Sequence, residues 1–167
     1  MSQSAVYSHR YWKRRLPYAR MVFPPETWNR VKYVFWRCYT PFHPLVRDTA
    51  LAFGIVRHDE RQDYLLGTIA DGQDLEEFVN HCISLGYGNH FIAWRDQDEV
   101  LGLRLVENFT YQYHIRIFTD GEIRGHYEYT PECYPILHMK KIGQEDRRHV
   151  FYEHLGDRIN QTLSESA

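Results

Sequence analysis

YQYHIRIFTDGEIRGHYEYT, residues 111–130, decides how this chain is read. Tyr, Ile, Phe and Thr suit a pleated, half-buried surface, and Asp120-Gly121 between the two runs signals a tight turn. The stretch therefore predicts a β-hairpin. Register matters most, because a one-residue slip moves every side chain to the opposite face. A two-residue loop pairs Thr119 with Glu122, sets Ile115 against His126, and sets Ile117 against Arg124. A three-residue loop, Thr119 to Gly121, pairs Phe118 with Glu122 instead and lets Gly121 close a type I turn with a bulge. The second register sorts the residues cleanly. One face collects Tyr111, Tyr113, Ile115, Ile117, Ile123, Gly125, Tyr127 and Tyr129. The other collects Gln112, His114, Arg116, Phe118, Glu122, Arg124, His126 and Glu128. His114 then opposes His126, Arg116 opposes Arg124, and Gln112 opposes Glu128.

Opposed arginines repel. Compensation can come from an anion or from Glu122 and Glu128 alternating with the cations; the plainer reading is a solvated face laced with ion pairs. If the face is a site, Arg116 and Arg124 anchor a phosphate-bearing ligand, a nucleotide or RNA. Gln112 and Glu128 are polar partners. Neighbouring guanidiniums would lower the histidine pKa values, so His114 and His126 become candidate base and acid for metal-free phosphodiester chemistry. The two imidazoles, with Glu128 or His138 as a third group, also invite a metal reading, but their spacing follows no zinc pattern. No metal and no cofactor is therefore expected.

Working outward, Tyr64–Ile69 is strand-like, and Leu75, Phe78, Val79, Cys82 and Ile83 mark an amphipathic helix behind an Asp74 cap. His90–Trp94 and Val100–Glu107 read as strands before the hairpin. Val150, Phe151, His154, Leu155, Ile159 and Leu163 outline a C-terminal helix. Further upstream, Trp28, Val31, Phe35 and Cys38 recur near helical period, while Leu45 to Arg57 suits a helix or a strand. The expected fold class is α+β: a single domain over residues 25–167, with a mainly antiparallel four- to five-stranded meander sheet packed by two or three helices. Its tyrosine-rich face lies under the helices. The His/Arg face is exposed or covered by the N-terminal segment.

Residues 1–24 read as a basic aromatic arm. Residues 1–37 hold eight basic groups against Glu26 alone, a net +7, so the remainder of this chain of net charge −2 carries −9. Such an arm suggests nucleic acid, an anionic surface or the acidic body as its contact. Arg14 and Arg15 are candidate ligand contacts, and Tyr11, Trp12 and Tyr18 candidate stacking groups. The competing functional reading is a non-enzymatic interaction module, an accessory subunit or inhibitor, that uses this arm on a protein partner. Three scattered cysteines without a CxxC pair fit a reducing, cytoplasmic setting. No apolar run is long enough to span a membrane, so no membrane partner is expected.

Overall fold

The bulged three-residue loop is the one adopted. A computed structural model describes residues 7–12, 14–24, 26–55, 63–89, 98–134, 137–138 and 145–161. In it, strands β3 (Tyr111–Phe118) and β4 (Glu122–Tyr129) pair His114 with His126 and Arg116 with Arg124. Gly121 sits at φ 87°, and its N–H donates to the Phe118 carbonyl at 3.1 Å. Only glycine adopts that left-handed conformation without cost.

Three more strands complete an antiparallel sheet: β1 (Tyr64–Ile69), β2 (Glu99–Val106) and β5 (Ile159–Gln161). The strand order is β2-β3-β4-β1-β5. Among the described residues, four helices of eight residues or more accompany it: α1 (Thr27–Tyr39), α2 (His43–Ala52), α3 (Leu75–Ser84) and α4 (Arg148–Leu155). The molecule is thus a single α+β domain with an open sheet. None of the helices is long and apolar enough to cross a membrane.

The apolar hairpin face meets α3 and α4. Ile115, Ile117 and Ile123 are fully buried against Phe78, Val79, Cys82, Phe151 and Leu155. Each such side chain contributes about 1.5–3 kcal/mol by leaving water. The Asp74 carboxylate caps α3 by accepting from the Glu77 N–H at 2.7 Å.

The C-terminal helix is shorter than its periodicity predicts. Gly156, at φ 55°, ends α4 after Leu155. Ile159 then pairs with Ile69 on the sheet edge rather than continuing a helical stripe. Leu163 and the predicted strand His90–Trp94 lie outside the described residues.

The arm packs on the body. Trp12 and Leu16 join the main core, and the Tyr11 hydroxyl donates to Glu76 of α3 at 3.0 Å. Gly88 and Asn89 lie between the arm and the edge of β2. Gly88 exchanges two backbone hydrogen bonds with Arg104, and Asn89 donates to the Pro17 carbonyl at 2.7 Å. This covers an edge that would otherwise expose unpaired amides.

His43 opens α2 and lies buried between the rings of Trp36 and Tyr39. Burial, with the charges of His138 and Arg47, pushes its pKa down to about 4. The unfolded imidazole, near 6.5, protonates first. Acidification therefore favours the unfolded chain: His43 causes no loss above pH 6.5 and a growing loss as pH falls toward 4. Urea midpoints of wild type and His43→Leu across this window provide the check. The two curves should converge or cross on acidification, and a constant gap would exclude a role for His43.

Candidate metal centre

The polar hairpin face is largely buried, with Glu122 and Arg124 near the turn partly exposed. Gln112, Arg116, His126 and Glu128 are each 1 % exposed. Register with β2 places Gly102 opposite Arg116 and Arg104 opposite His114, so Arg104 joins the same face. Glu99, Glu132 and Asp63 close in on it.

Three groups converge at the centre. His114 Nδ1 lies 3.2 Å from His126 Nε2 and 3.4 Å from one Glu128 oxygen. His126 Nε2 lies 3.2 Å from the other Glu128 oxygen. Asp63 Oδ1 stands 2.5 Å from the opposite nitrogen of His126, Nδ1. His138 Nδ1 donates to the Tyr129 carbonyl at 2.8 Å and stands 3.2 Å from Glu128. Gly102 leaves room for the His114 ring, since a Cβ there would fall 2.8 Å from His114 Nε2.

The local electrostatics follow from this packing. Burial disfavours a charged His126, but the Glu128 and Asp63 carboxylates override it and lift its pKa to about 9. His114 is lowered, by burial first and by its neighbour His126 as well, although Glu128 opposes this. Burial would raise Glu128 and Asp63, yet the histidines around them, with Arg116 beside Asp63, hold both well below the usual carboxylate range.

The arginines are not a free anion clamp. Arg116 donates to Asp63, and its Nη2 to Glu99 at 2.8 Å. Arg124 donates to Glu122 of its own strand at 2.6 Å. Both guanidiniums also stack on the Phe118 ring, about 5 Å from its centroid. Arg104 is held by Glu132 at 3.1 Å and by Gln112 at 3.1 Å, and Gln112 in turn donates to Glu128 at 2.6 Å. Four buried carboxylates (Asp63, Glu99, Glu128, Glu132) thus face two buried guanidiniums (Arg104, Arg116). The cluster is net negative before the histidines are counted. Of the two histidines expected to be depressed, His114 is lowered, by burial and His126, while His126 is raised.

Arg14 and Arg15 are exposed. Arg15 lies over the Tyr11 ring at 4.0 Å and faces Glu76 on the α3 layer, away from the histidines. Trp12 is buried in the core and unavailable for stacking on bases. Sequence reasoning missed Asp63, Glu99, Arg104 and Glu132. Arg104 was within reach, since extending the hairpin register across Val100–Glu107 places it on the histidine face. Asp63 and Glu132 lie outside the strands and carry no periodic signal.

The fold and the site together define an α+β domain with a buried centre of two histidines and one carboxylate. Comparison with protein-family models, curated proteins and solved structures finds no match for this chain.

Proposed function

We propose that this protein binds a divalent first-row transition-metal ion through His114 Nδ1, His126 Nε2 and a Glu128 oxygen. The observation that supports it is the convergence of their ligand atoms: His114 Nδ1 and His126 Nε2 lie 3.2 Å apart, each lies 3.2–3.4 Å from a different oxygen of Glu128, and one ligand atom from each of the three residues falls within 4.8 Å of the other two. Zinc bonds of about 2.0–2.1 Å at tetrahedral angles set ligand–ligand edges of about 3.3 Å. Asp63, in close contact with the far nitrogen of His126, stands where a carboxylate would orient that imidazole were a metal bound. The surplus negative charge favours a cation. Three protein ligands leave a position for water or a small ligand, as in catalytic zinc sites, and two imidazoles with one carboxylate also suit Fe²⁺. A metal-bound water of lowered pKa is the chemistry such a centre makes available.

A nucleotide or RNA phosphate gripped directly by Arg116 and Arg124 finds less support, because Asp63, Glu99 and Glu122 hold those groups. The reducing, cytoplasmic setting is supported by three free cysteines, Cys38, Cys82 and Cys133.

Zn²⁺ and Co²⁺ titrations at neutral to mildly alkaline pH, with the Co²⁺ visible spectrum as reporter of tetrahedral nitrogen and oxygen ligation, test the proposal. Asp63→Asn keeps the shape but removes the charge behind His126. It should weaken affinity about 10–100-fold without changing stoichiometry. Wild type taking up neither ion would leave the cluster as a structural ion network alone.

A further inference from the structure

Helices α1 and α2 present an apolar surface that the described domain leaves uncovered. Of the seventeen large hydrophobic side chains exposed among the described residues, thirteen fall between Tyr7 and Ile55. Trp28, Phe35, Phe42, Leu45 and Phe53 are each more than 60 % exposed. The helical period that marks Trp28, Val31 and Phe35 thus points outward, while Trp36 turns in at 4 % exposure. Basic groups are interleaved: Arg20, Arg30, Lys32, Arg37 and Arg47, against Glu26 and Asp48. Arg30 lies over the Phe23 ring, and Lys32 over Tyr134 at 4.5 Å. Beside them, a cavity of about 290 Å³ is lined by Trp28, Val31, Lys32, Phe35, Glu132 and Cys133.

We infer that this face docks on the surface of an anionic bilayer. A helix pair with aromatic and aliphatic groups outward and Lys/Arg between them suits the boundary of headgroup and acyl chain. Charge selects the partner. Two copies meeting face to face would bring like-charged surfaces together. A second copy meeting it in another orientation finds only Leu65, Leu85, Tyr134 and Leu137 as large exposed hydrophobics elsewhere among the described residues. An anionic bilayer supplies negative charge and apolar depth together, and the cavity has room for part of an acyl chain. The contact is peripheral and needs no spanning segment, so it departs from the expectation of no membrane partner without contradicting the absence of a spanning helix among the described residues. It is independent of the metal reading.

The test uses the full chain and phosphatidylcholine vesicles with and without phosphatidylserine. Trp28 is 67 % exposed, whereas Trp12 and Trp36 are 3 % and 4 % exposed, so Trp28 reports on the face. The expected result is flotation with phosphatidylserine vesicles alone, a blue shift of emission that Trp28→Phe removes, and release by high salt. Arg30→Glu with Lys32→Glu should weaken binding more than about tenfold. Phe35→Ser with Leu45→Ser should do the same while circular dichroism stays unchanged. No flotation, or equal flotation with phosphatidylcholine alone, overturns the proposal. So does a dimer by light scattering in the absence of lipid that Phe35→Ser dissociates, because the face would then be an interface between copies.

Discussion

Replacing Arg116 by methionine should cost about 3–5 kcal/mol of folding stability, while the same change at Arg124 should cost less than about 1 kcal/mol. Their side chains are directly opposed in the hairpin, and on the sequence they are equivalent. Their surroundings differ. The Arg116 side chain is 2 % exposed and neutralises Asp63 and Glu99, which are 7 % and 1 % exposed. Removing it leaves two carboxylates in a low-dielectric interior without their guanidinium, the costly way to break a buried pair. The Arg124 side chain is 42 % exposed, and its partner Glu122 is 31 % exposed. Water takes over both groups when that pair is broken. Urea denaturation of the two variants at neutral pH decides the matter, and equal midpoints would sink the account of a buried ion network.

Zn²⁺ at about a thousand times its dissociation constant should stabilise the native chain by about 4 kcal/mol, which raises Tm by about 10 °C. Binding needs both imidazoles neutral, so the gain should shrink on acidification. His114→Ala and Glu128→Gln should abolish it. The variants differ in their metal-free stability, because Glu128→Gln leaves the imidazolium of His126 with Asp63 as its remaining carboxylate partner at close range. The difference between metal-loaded and metal-free Tm is therefore the quantity to compare. A gain that persists in both variants would place the ion elsewhere.

Hairpin, loop length and division of the two faces are all legible in residues 111–130. Alternation has a period of two, and Asp120-Gly121 admits few turns, so the pairing of His114 with His126 follows from local chemistry. The α3 cap at Asp74 is legible for the same reason. The end of α4 is not. Its apolar spacing continues past Gly156, and Ile159 joins the sheet because Ile69 offers a free edge. The outward stripe of α1 was also illegible. Periodicity identifies a helix face but not the side that finds a partner.

Local sequence thus determines that two imidazoles, two guanidiniums and Glu128 share one side of a hairpin. Tertiary structure decides the sign of that side. Asp63 and Glu99 arrive from outside the hairpin, bury themselves against it and neutralise Arg116, and Glu132 does the same for Arg104 of β2. Charge acts through space and depends on exclusion of water, so the character of the face is set by groups that no local pattern within the hairpin contains.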